Sequence, residues 1–155
     1  MHQTRKGNEW YFGMKMHIGM DSKTKLVHLI ATSSANMHDL QMIGELLHGQ
    51  ETRVWGDSAY TGQREKILNK APYAQDFTHR KGFGYRQLTE EQRRQNKTKS
   101  KVLAKVEHVF LVSKRIFGFD KVRCKGFKKN TGHVVTNLGL VNIYMNRHRL
   151  LRSMA

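Results

Sequence analysis

The segment Trp10-Tyr11-Phe12-Gly13-Met14-Lys15-Met16-His17-Ile18-Gly19-Met20 is rich in aromatic and apolar residues and stops at Asp21-Ser22-Lys23-Thr24; apolar residues resume from Leu26 to Ile30. Two strand-forming runs joined by residues of turn composition predict an antiparallel hairpin. Asp21 is then a turn former. A sheet therefore opens the fold, and the order of the later elements decides how it is covered.

Asn36 stands before Leu40, Ile43, Leu46 and Leu47, which recur at helical spacing. Asn36 is read as the N-cap of a short helix, with Asp39 in its first turn and Gly49 closing it. Thr52 to Asp57 predicts a third short strand, Gln63 to Asn69 a helix, and Tyr73 to Phe77, after Pro72, another strand. Arg80 to Tyr85 is basic and broken by glycine, which reads as a loop. Thr89 to Gln92 has the Thr-x-x-Gln form of a capping box. Beyond it Val102, Val106, Val109, Phe110, Ser113 and Phe117 share one face of a helix that Gly118 ends. Asn130 to Leu151 predicts a last helix, with Val134, Leu138, Val141 and Met145 inward. Strands first, then helices interleaved and finally dominant, predict an α/β fold with the sheet flanked by helices, in a single domain over residues 1–155.

The chain has 155 residues, 38% of them apolar, which is enough for one core. No run reaches the ~18 apolar residues of a membrane span and no signal-peptide pattern opens the chain, so a soluble, cytoplasmic protein is expected. The single cysteine, Cys124, excludes an internal disulfide, and the nine histidines form no His-x-x-x-His pair that would suggest structural zinc. The net charge is +16 and lopsided: residues 1–78 hold 9 Lys+Arg against 8 Asp+Glu, residues 79–155 hold 19 against 4. So uneven a field suits a polyanion, most often nucleic acid. Arg93, Arg94, Lys97, Lys99 and Lys101, then Lys125, Lys128 and Lys129, are the residues expected to meet DNA phosphates.

Two carboxylates stand out. Asp57, in Val54-Trp55-Gly56-Asp57-Ser58-Ala59-Tyr60, falls at the carboxyl end of the third predicted strand, where open α/β sheets place their ligands, and its small neighbours admit another group. Glu107 lies on the flank of the Val106/Phe110 stripe, and Lys114, seven residues on, comes within about 20° of it on the same helix face. A carboxylate able to hold a divalent cation thus has a cation above it able to hold a phosphate. Read from the residues alone, Asp57 as a turn former and Glu107 as a partner of Lys105 or Arg115 remain open alternatives.

Three ordered blocks bear on that choice. "MHQTRKGNEWYFGMKMHIGMDSKTKLVHLIATSSANMHDL", "VWGDSAYTG" and "KVEHVFLVSKRIFGFDKVRCKGFKKNT" resemble bacterial insertion-sequence transposases of the DDE class, whose catalytic core is RNase H-like. The resemblance implies that Asp57, in its Gly-Asp-x-x-Tyr context, is the second catalytic aspartate. It likewise implies that Glu107, in Lys-Val-Glu-His, is the catalytic glutamate and that Lys114 touches transposon-end DNA, with Arg115 beside it. The arginine that the family commonly carries four residues before the glutamate is Leu103 here.

By the same resemblance the family's first catalytic aspartate lies on a central strand upstream of Met1. A C-terminal portion of a transposase is therefore expected, its RNase H-like mixed sheet lacking the first central strand and so carrying two unpaired edges. Two Mg²⁺ (or Mn²⁺) ions are expected only once that aspartate is supplied. DNA, both transposon ends and target, is the implied substrate, and a second copy or a full-length transposase the implied protein partner. The competing expectation is a non-catalytic basic DNA-binding fragment that interferes with the full-length enzyme.

Overall fold

The structure, a computed structural model, describes residues 1–82 and 87–154, so the loop reading over residues 80–85 falls partly outside the described residues. The chain divides into two compact units, Met1–Met37 with Glu107–Ala155, and His38–Val106.

The first unit is built on an antiparallel sheet of β1 (His2–Lys6), β2 (Glu9–Met20) and β3 (Val27–Ser34), in the order β1-β2-β3. The predicted hairpin is β2–β3, and its turn closes as its composition requires. Asp21 accepts from the Lys23 and Thr24 backbone N–H groups at 3.1 and 3.0 Å and from the Thr24 hydroxyl at 2.6 Å. These donors favour the charged carboxylate and hold its pKa down at about 2. Lys25 completes the turn at φ 62, the one non-glycine residue with positive φ among the described residues.

Side chains alternate across β2, and Met14, Met16, Ile18 and Met20 fall on the face that packs against the core. Val109 and Val112 of α2 (Glu90–Arg115) and Val134, Leu138 and Val141 of α3 (Phe127–Met154) complete it. Each such apolar side chain contributes about 1.5–3 kcal/mol when fully buried. Three polar contacts fix how the helices lie. Ser113 donates to Asn137 Oδ1 at 2.6 Å, and the hydroxyls of Thr32 and Thr131 meet at 2.9 Å. Asn142 accepts from the Val27 N–H at 2.9 Å and donates to the Val27 carbonyl at 2.8 Å, satisfying the backbone where β3 begins.

The second unit holds a 3₁₀ helix (Asp39–Leu46), β4 (Arg53–Val54), a 3₁₀ turn (Ser58–Tyr60), α1 (Arg64–Lys70) and β5 (Gln75–Asp76). β4 and β5 are parallel, joined through α1. Their ladder extends past the strands proper: Gln75, Phe77 and His79 donate in turn to the carbonyls of Thr52, Val54 and Gly56 at 2.9, 2.8 and 2.9 Å. Ile43, Leu47, Val54, Ile67, Ala71 and Ala74 form the core beneath. The capping box is realised at the start of α2, with Gln92 N–H donating to Thr89 Oγ1 at 3.2 Å and Thr89 N–H to Gln92 Oε1 at 3.1 Å.

The whole is a mixed α/β structure compatible with a partial RNase H-like fold. Three details differ from the sequence reading. The helix after Asn36 is a 3₁₀ helix that ends at the C-cap Leu47, before Gly49. Asn36 does not cap the following helix: His38 holds the cap position, without a side-chain bond, and Asn36 Oδ1 instead accepts from the Ser34 hydroxyl at 2.8 Å. That hydroxyl, two residues away, competes successfully for the amide. β1 is an additional strand, unsignalled because its residues carry no apolar alternation.

Candidate active site and nucleic-acid interface

Asp57 follows directly on the parallel ladder, whose last bond is made by the carbonyl of Gly56. Val54 and Gly56 are buried while Asp57 is exposed, as strand alternation requires. Its carboxylate caps the 3₁₀ turn: Oδ1 accepts from the Ala59 N–H at 2.9 Å. Gly56 fits this arrangement closely, since a Cβ there would stand 3.1 Å from the Thr78 methyl and 3.2 Å from the Tyr60 ring, and those side chains would have to give way. Tyr60 packs against the core of its unit. Its phenol is pushed up to about 12 by burial and by the negative charges of Asp39 and Asp57, so it stays protonated. The reach of Asp39 to Tyr60 has no signal in the sequence, where Asp39 reads only as a first-turn acid.

Glu107 and Lys114 lie on α2, both exposed, with Arg115 exposed beside them. Seven residues separate the two; at about 1.5 Å rise per residue they stand roughly 10 Å apart along one face. Val109, Val112 and Ser113, buried between them, hold that stretch of helix against the core.

Among the described residues, no group of three or more acidic, histidine or cysteine side chains is gathered to hold a metal. Asp57 and Glu107 are hard oxygen donors exposed to solvent, the donor type that suits Mg²⁺ or Mn²⁺. Other aspartates are engaged structurally. Asp21 closes its turn, Asp76 Oδ1 accepts from the Thr78 N–H at 2.8 Å, and Asp120 lies 3.9 Å from Arg123.

The basic residues fall into two sets. On the first turns of α2, Arg93, Lys97 and Lys101 recur every four residues along one exposed side. Arg93 also donates to Gln87 at 3.4 Å, and Arg94 pairs with Glu91 at 2.5 Å. Lys99 stands apart from that stripe, its ammonium donating to the Thr78 carbonyl at 2.9 Å. Lys125, Lys128 and Lys129 are exposed where α3 begins, and no acid lies in its first turn. Lysines at a helix N-terminus oppose the helix dipole, so this end favours an anion. Asn130, 1% exposed, ties the approach down by donating to the Cys124 and Gly126 carbonyls at 2.6 and 2.7 Å. Its role could have been suspected from Gly126, which adopts φ 88 just before the helix.

The model of the transposase DDE domain family matches residues 1–143, and the chain belongs to that family. No solved structure matches it. Membership gives the chain a transposition-related function, with DNA as the substrate of a family that typically uses divalent metals. Among the described residues no helix is long and apolar enough to cross a membrane.

Proposed function

We propose that this chain carries the strand-cleaving and strand-joining chemistry of DNA transposition, with Asp57 and Glu107 as two of the three carboxylates of the DDE set. The observation that carries the proposal is Asp57: an exposed carboxylate at the end of a parallel ladder, oriented by the Ala59 N–H, within a chain matching the family over residues 1–143. Bound Mg²⁺ or Mn²⁺ would supply activation of the attacking oxygen and stabilisation of the leaving one. The chain's own residues hold and orient. Asp57 and Glu107 would each offer carboxylate oxygens to a divalent metal, Lys114 and Arg115 would hold phosphates of the element's end, and Arg93, Arg94, Lys97, Lys101, Lys125, Lys128 and Lys129 would neutralise the backbone of the DNA.

In the first reaction water's oxygen bonds to phosphorus as the bond from phosphorus to the 3′ oxygen breaks, the water proton passes to solvent, and the leaving 3′ oxygen takes up a proton to become a 3′-hydroxyl. In the second, the freed 3′-hydroxyl oxygen bonds to a target phosphorus as that phosphorus loses its bond to the target's own 3′ oxygen; the proton leaves to solvent, the released target 3′ oxygen takes one up, and the element is joined to target DNA. The third carboxylate is proposed to come from a further segment or another polypeptide, because Asp21 closes the hairpin turn, Asp39 lies in the first turn of the 3₁₀ helix, and neither matches the family's first aspartate. The same observation favours a second reading, in which the chain alone binds DNA without cutting it and interferes with a full-length transposase.

The test uses the 155-residue chain. Its affinity for duplex DNA should fall with salt at a log–log slope of about −0.9 per phosphate neutralised. Mg²⁺-dependent cleavage should appear only when a segment bearing the third aspartate is added, and should then vanish in Asp57→Ala and in Glu107→Gln. Cleavage that survives Glu107→Gln removes Glu107 from the site. Failure to bind duplex DNA at low salt defeats the DNA reading altogether.

A further inference from the structure

The apolar stripe of β2 does not end where its cover ends. Met14, Met16, Ile18 and Met20 pack against the core of the first unit, but Trp10 and Phe12 occupy the same face four and two residues before Met14 and remain 66% and 64% exposed. There β2 pairs only with β1, since the β3 register stops at Met14. The result is a two-stranded ribbon with two large aromatic rings in solvent, an arrangement that marks an interaction surface rather than a scattered exposed residue.

The register specifies what shares that face. Arg5 lies opposite Trp10 and Gln3 opposite Phe12. The Arg5 guanidinium sits 6.0 Å from the centre of the Trp10 ring and is held in place by donating to the Gly7 carbonyl at 3.0 Å and to Asn8 Oδ1 at 3.2 Å. The ribbon's one acid, Glu9, belongs to the opposite face, where the Tyr11 hydroxyl bonds to it. The exposed face therefore presents two rings, a fixed cation and an amide, and no carboxylate. Residues two apart on a strand are about 6.8 Å apart. Stacked nucleotides repeat at about 3.4 Å along a strand, so the interval between Trp10 and Phe12 admits one base plane.

We infer that the β1–β2 ribbon is a stacking platform for unpaired bases of DNA, with Trp10 and Phe12 gripping a base and Arg5 its neighbouring phosphate. Aromatic faces accept any base, and a guanidinium beside them supplies the charge that a strand requires. The inference rests on the transposase reading for the identity of the polymer. It goes beyond that reading in assigning single-stranded DNA, such as a frayed element end, to residues remote in sequence from Asp57 and Glu107.

The experiment measures a single-stranded oligonucleotide and the duplex of the same sequence against the full chain by anisotropy. Tryptophan emission is followed in Trp55→Phe, which leaves Trp10 as the sole tryptophan. Single strand should quench Trp10 strongly. Trp10→Ala/Phe12→Ala should lose roughly ten- to a hundred-fold in single-strand affinity and less than about two-fold in duplex affinity. Arg5→Ala should lose less and flatten the salt dependence. Unchanged single-strand affinity in the double variant overturns the inference while leaving the transposase reading intact. So does a double variant whose only change is its sedimentation, since the face would then join copies of the chain. A parent chain that binds neither form of DNA overturns both.

Discussion

The two sheets hold together by different means. β2 and β3 share seven paired positions across a turn that Asp21 closes with its own side chain, so strands, turn and register are all contiguous in sequence. β4 and β5 share two paired positions, with residues 55–74 between them. A ladder that short supplies few hydrogen bonds, and parallel pairs are slightly weaker than antiparallel ones. What keeps Asp57 in place is therefore the apolar packing under the ladder, Ile67 and its neighbours, more than the ladder itself.

Ile67→Ala probes this difference most severely. Ile67 is fully buried, and its truncation should cost about 2–5 kcal/mol, with hydrogen-exchange protection lost first at the Phe77 and His79 amides. Retained protection at those amides would show the ladder to be self-supporting. Gly56→Ala comes next. Its methyl would meet Thr78 and the Tyr60 ring at 3.1 and 3.2 Å, and forcing it in should cost about 1–3 kcal/mol in a urea titration. A full-strength Gly56→Ala protein would mean that Tyr60 moves freely.

A smaller effect tests a purely local device. Thr89→Ala removes one half of the capping box of α2, and should cost about 1 kcal/mol with fraying of the first turn seen by circular dichroism or exchange. The smallest concerns the β2–β3 turn. The Asp21 carboxyl is held at about 2, below the ordinary 3.8, so its contribution is complete above about pH 4 and is lost as pH falls toward 2. Asp21→Asn should flatten stability against pH over that interval, with its deficit present at pH 7 and vanishing as pH falls toward 2.

The same contrast explains which features could be read from the residues. Contacts closed within a few positions were legible: the Asp21 turn, the Thr89/Gln92 box, and the inward positions Val134, Leu138 and Val141 of α3. Asn36 misled, because a cap residue is chosen by whichever donor lies nearest, and Ser34 was nearer than the helix. Long-range pairings left no trace. Asn142 meets the Val27 backbone across 115 positions, and Asp39 acts on Tyr60 through space. The ribbon strand β1 escaped notice because its residues alternate nothing, although Gly7-Asn8 between Lys6 and Glu9 has the two-residue length and composition of a tight hairpin turn. The proposal of Asp57 and Glu107 rests on their surrounding motifs, not on any property of a lone acid.

The order in which the first unit is written along the chain has a consequence for its synthesis. Its sheet is complete by Ser34, yet the α3 residues that cover the Met14–Met20 stripe arrive only with Val134 to Val141. At about 5–20 residues per second a ribosome needs on the order of ten seconds to bridge that interval. Throughout it the nascent hairpin presents a methionine-lined face without its lid, an apolar surface open to unwanted association until α3 arrives.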